Sequence, residues 1–173
     1  MNQEKPATPM HELDNATWGF DSSCFVCERR NDHGLRISFY HDVERNLVTA
    51  TFSLTGTFSG APTWVHGGIV LAILDEATAW AAIAIAGRFA ATHETSTTFE
   101  RSVRVGRSYS VAATVQHAGD ETIEAAATIT DERGRVCATA RATFTVLGEA
   151  QAERAIGGDV TPEAQGYVRR DPS

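Results

Sequence analysis

The sequence predicts an α+β domain, a curved antiparallel sheet wrapped around one long central helix. Three observations carry that reading. Residues 69–86 hold only three polar side chains in eighteen positions (Asp75, Glu76 and Thr78) and no proline or glycine, which is the composition of a buried helix. From residue 95 to residue 146 the pattern changes to period two, in four stretches punctuated by Gly106, Gly119 and Gly134. Long antiparallel strands need cover on one face, and the apolar helix supplies it.

The elements follow in chain order. At 173 residues the chain is large enough for one core, expected over 17–147, between a flexible polar lead (1–16) and a tail (148–173) in which apolar periodicity is lost. The lead has no apolar stretch of the secretory kind, so a cytoplasmic location is expected. Cys24-Phe25-Val26-Cys27 comes next, with His33 close by and His41 beyond a strand. A closed zinc site wants four protein ligands and fewer are in reach, so the pair reads as small buried residues in a turn, with no metal. An odd count of three cysteines also argues against a disulfide framework. Residues 35–40 and 47–52 form a hairpin about Arg45-Asn46, and 55–62 is a loop leading to the helix and lining one wall of a pocket. Gly87-Arg88 ends the helix with a permissive residue and a cation for its negative end. Strands are expected at 95–105, 108–117, 122–131 and 135–146.

Charge excludes some partners. The net charge is −7 and no basic run interrupts it, which argues against a nucleic-acid surface. A membrane span at 69–86 would place Asp75 and Glu76 mid-bilayer at a cost of about 2.5 kcal/mol or more each, so no membrane is expected.

The chemistry sits at the helix start. His66-Gly67-Gly68 offers unpaired backbone N–H groups at the positive end of the helix dipole, with no side chain to block an anion or a polarised carbonyl. Asp75 is either a buried structural acid capped by hydrogen bonds or a carboxylate placed to activate water, and the cost of burying it without a use favours the catalytic role. Glu76 points about 100° away from it, toward a salt bridge or an interface. From His66 to Asp75 the helix advances roughly 13 Å and turns by about 180°, so one carbonyl cannot touch both in a single copy. A second copy related by a two-fold axis meets that need.

His66-Gly67-Gly68 followed by Asp75 on a long helix resembles the hotdog-fold acyl-CoA thioesterases, in the phenylacetate-pathway-like branch, over about residues 23–146. The resemblance implies hydrolysis of an acyl-CoA thioester by a homodimer or homotetramer, without cofactor or metal. Asp75 acts as base or as nucleophile, and the Gly67 N–H of another subunit holds the oxyanion. His66 either shapes the turn or touches the thioester oxygen, with Gly68 beside the substrate. Relatives place a Ser or Thr beside the acid, which falls on Thr92, with His93 and Thr95 one register error away. Arg101, Arg104 and Arg107, clustered near the Gly106 turn, either meet the coenzyme A phosphates or are solvated strand arginines. Some relatives carry an Asn where Gly60 stands, and another hotdog branch uses a glutamate close to Glu76. Trp64 and Trp80 shape the acyl pocket or pack in the core. The rival readings are an acyl-CoA-binding module without turnover and a hotdog hydratase or dehydratase.

Overall fold

A computed structural model describes residues 10–18 and 21–169. Its main sheet has seven antiparallel strands: β1 (Met10–Leu13), β2 (Phe39–Asp42), β3 (Leu47–Ser53), β6 (Ala90–Phe99), β7 (Ser108–Ala118), β8 (Thr122–Asp131) and β9 (Val136–Val146). They lie in the order β1-β2-β3-β7-β8-β9-β6, with β1 and β6 at the edges. A two-stranded ribbon of β4 (Ser59–Ala61) and β5 (Trp64–Val65) delivers the chain to α1 (Gly67–Ala84). This is the α+β hotdog arrangement, one long helix against a curved antiparallel sheet.

The helix and sheet fit because both contact faces are cut small. Ala113, Ala125, Ala127, Ala138, Ala140 and Ala142 line the sheet, and Ala77, Ala81 and Ala82 face them from α1. Short side chains let the helix axis come close, while Phe39, Ile73, Leu74, Ile123, Ile129 and Phe144 fill the space around it and are fully buried. Truncating Ile73 or Leu74 to alanine would cost about 2–5 kcal/mol. Register shifts in β6, β7 and β9 are β-bulges, which bend strands and deepen the curve that holds the helix. Among the described residues α1 is the one helix long and apolar enough to cross a membrane, and one side of it packs on the sheet as a core helix.

Several expected boundaries move, each for a physical reason. β6 begins at Ala90, not 95, because a bulge between Thr92 and Glu94 breaks the alternation that would have marked it. It ends at Phe99, not 105: the Glu100 and Arg101 N–H groups both turn onto the Cys137 carbonyl, and the chain then runs beside β5. The first hairpin pairs only from Tyr40, because the Leu35 and Ile37 N–H groups bond to the Phe25 and Val26 carbonyls. Of the expected lead, residues 1–9 lie outside the described residues, whereas Met10–Leu13 is a strand with Leu13 buried. The expected tail is laid on the body. It carries α2 (Glu149–Ile156), and Ala152, Val160, Ala164 and Val168 are buried one at a time. Phe89 donates its N–H to the Tyr167 carbonyl at 2.8 Å and stacks on its ring.

Candidate active site

The helix start is capped by its own histidine. His66 sits at the N-cap with extended backbone, and its Nδ1 accepts from the Gly68 N–H at 2.9 Å. The His66 N–H donates to the Phe58 carbonyl at 2.9 Å, and a side chain at Gly60 would meet the His66 Cα at 3.0 Å. An asparagine therefore cannot occupy position 60 unless the His66 turn moves. With Gly68 occupied by the cap, the Gly67 N–H has no acceptor among the described residues. It is exposed at the positive end of the helix, beside the half-exposed ring of Phe99. Trp80, by contrast, belongs to the core.

Asp75 lies two turns further along and is half-buried. Thr92, at the start of β6, donates its hydroxyl to Asp75 Oδ1 at 3.1 Å. The bulge assigns the register: His93 is the extra residue, and the Thr95 hydroxyl is buried with no partner among the described residues. Gly67 and Asp75 are separated by about 12 Å of helix rise, too far for one carbonyl to touch both. Within one chain the structure joins Asp75 to Thr92 and leaves Gly67 apart from them.

Glu76 faces elsewhere. Its carboxylate is 3.4 Å from the Cys24 sulfur, and no basic side chain pairs with it among the described residues. Burial pushes the Glu76 carboxyl up to about 8. The hydrogen bond from Cys27 holds the Cys24 thiol down, to about 5, and raises Cys27 in turn.

Arg101, Arg104 and Arg107 line one cleft of about 480 Å³, and the β8–β9 turn adds Arg133 and Arg135 to it. Those two were missed in the sequence. The signal was topological: Tyr109 pairs with Asp131, which puts the Gly106 and Gly134 turns at the same end of the sheet. Five guanidinium groups face only two acids there, Asp131 and Glu132. Arg135 pairs with Asp131 at 2.7 Å and holds its carboxyl below the usual range, and Arg101 donates to the Val136 carbonyl. Among the described residues no carboxylate pairs with Arg104, Arg107 or Arg133. The cleft is tied to the helix start, since Arg104 bridges to Trp64 and the Val65 N–H donates to the Val103 carbonyl at 2.9 Å.

Residues 64–138, from the approach to α1 through the start of β9, match the family described as the thioesterase superfamily. The chain carries a hotdog fold. A solved thioesterase superfamily protein is similar, with a TM-score of 0.67 and 23% identity over 81% of this chain and 68% of that one. The smu.793 protein of Streptococcus mutans, bound to acetyl-CoA, gives a TM-score of 0.57 and 22% identity over 60% and 82%. The E. coli PaaI protein of the phenylacetic acid degradation operon gives 0.55 and 22% over 60% and 74%. No curated protein matches the sequence.

Proposed function

We propose that the protein is an acyl-CoA thioesterase whose active site is completed by a second copy of the chain. The observation that carries this reading is the Asp75–Thr92 pair at 3.1 Å, with the open Gly67 N–H beyond its reach on the same helix. β6 supports the two-copy arrangement. It is an edge strand with residues 91–94 exposed, and an unpaired edge is a template for another strand. A two-fold axis near the middle of β6 sets the Thr92 end of one strand beside the Phe99 end of the other. Because Phe99 borders Gly67, Asp75 and Thr92 then approach the partner's Gly67.

In that site water attacks the thioester carbon and passes a proton to Asp75, while Thr92 orients the carboxylate. Charge developing on the carbonyl oxygen is met by the partner's Gly67 N–H, a preorganised donor worth a few kcal/mol. The C–S bond breaks, and the departing thiolate takes the proton to give the free acid and coenzyme A. With Asp75 as nucleophile, an anhydride forms first and water opens it. The arginine cleft suits the phosphates of coenzyme A, and a hypothetical thioesterase of Streptococcus pneumoniae has been solved with coenzyme A.

Release of free thiol from a panel of acyl-CoA esters tests the reading. Turnover by the wild type and its loss in Asp75→Asn is the expected result. Tight acyl-CoA binding with no thiol released by the wild type would make the protein a binding module, and hydration of an enoyl-CoA would make it a hydratase.

A further inference from the structure

The Cys24–Cys27 turn has no part in the proposed hydrolysis, yet its backbone is held by several hydrogen bonds. Phe25 and Val26 offer their carbonyls to the Leu35 and Ile37 N–H groups at 2.7 and 2.9 Å. Asn31 Nδ2 donates to the Ser23 carbonyl at 3.0 Å. Gly34 is packed so closely that a Cβ there would lie 2.5 Å from the Phe25 carbonyl oxygen. Every brace grips the backbone of the turn and leaves both sulfurs turned toward α1.

What they meet there is Glu76. The Cys24 and Cys27 sulfurs and a Glu76 carboxylate oxygen all lie within 4.8 Å of one another. We propose that Cys24, Cys27 and Glu76 bind one zinc ion, with a solvent molecule as fourth ligand, as a clasp fastening residues 21–37 to α1. The Cys24–Glu76 separation matches that of two ligands on one ion. Zinc bonds of about 2.3 Å to sulfur and 2.1 Å to oxygen put tetrahedral S and O ligands about 3.6 Å apart. Cys24 Sγ and Glu76 Oε1 are 3.4 Å apart. The Val26 N–H points at Cys24 Sγ from 3.4 Å, an amide donor of the kind that stabilises sulfur as thiolate.

Charge favours an ion over a bare dithiol. A half-buried carboxylate set against two thiols favours a proton or a cation beside it, and no basic side chain pairs with Glu76 among the described residues. Two soft sulfurs with one carboxylate select zinc over magnesium or calcium. Binding displaces the thiol protons to solvent and changes no oxidation state. His33 and His41, the ligands considered from sequence, do not join the group, and no fourth side chain among the described residues does.

The test uses the full chain, stripped of metal by a chelator and held in a non-thiol reductant, and needs no assay of hydrolysis. Cobalt(II) titration should give thiolate-to-metal charge-transfer absorption that saturates at one equivalent per chain and is bleached by zinc. The Cys24→Ser, Cys27→Ser double variant should lose the band, Glu76→Gln should weaken binding at least tenfold, and Cys137→Ser should change nothing. Absence of the band in the wild type overturns the proposal whatever the variants do. So does a band that survives loss of both cysteines, or a Cys24–Cys27 disulfide in place of bound metal in the chain as purified.

Discussion

Asp75 and Thr92 bond across seventeen residues of sequence, and that single contact decides what each substitution should do. Asp75→Asn keeps the shape and removes the base, so kcat should fall by about a hundredfold or more, with KM little changed, in a free-thiol assay. Thr92→Ala removes one hydrogen bond to a charged group, worth about 1.5–3 kcal/mol, so its loss should be about tenfold to a hundredfold. If Thr92→Ala proves neutral, the hydroxyl does not position the acid. In the proposed thioesterase, Arg104 and Arg107 meet the other end of the substrate. Alanine at both should raise KM for acyl-CoA and leave kcat alone, while a pantetheine thioester lacking the nucleotide should be indifferent to the change. Asp131 at the same cleft gives a pH signature. The Arg135 hydrogen bond depresses its carboxyl, so the pair's contribution is present above the ordinary aspartate range and lost as pH falls through the lowered value. In Arg135→Ala, the Asp131 carboxyl followed by NMR should titrate at higher pH than in the wild type.

At the level of elements, β6 carries the largest consequence. Its exposed residues are mostly threonine, serine and charged side chains, which leaves backbone pairing as its main adhesive. Ser96 lies near the strand's middle, so Ser96→Lys brings two like charges together across a two-fold axis and blunts the edge. Analytical ultracentrifugation should show the variant shifted toward monomer, with an unchanged circular dichroism spectrum and little turnover. The strand also shows where sequence reading stops. The resemblance puts Thr92 beside the acid, but the bulge at His93 adds a residue that no side-chain type announces, so the strand starts five residues before the alternation does. The α1 motif was legible because eighteen residues share one environment. Residues 149–169 were not, because Ala152, Val160, Ala164 and Val168 are buried singly among polar neighbours and leave no period to detect. The Cys24–Cys27 spacing was plain in the sequence, whereas its third member, Glu76, is supplied by another element 52 residues beyond Cys24.

For the whole molecule the question is whether one chain or two make the site, and one pair of variants answers it. Gly67→Pro removes the open N–H and little else. Proline is favoured at the first position of a helix, and His66 already has φ −60° and ψ 135°, the conformation required before proline. A Cβ at Gly67 would make only ordinary contact with Phe99, at 3.8 Å. Gly67→Pro and Asp75→Asn should therefore each fold, each assemble, and each be nearly inactive alone. Mixed and allowed to exchange, random pairing gives half heterodimers. In each of these one site takes its N–H from the Asp75→Asn chain and its carboxylate from the Gly67→Pro chain, while the other site carries both lesions. About a quarter of wild-type activity should return, rising as exchange proceeds and absent when the subunits are cross-linked before mixing. A site contained within one chain has no route to that recovery, because every chain in the mixture carries a lesion of its own.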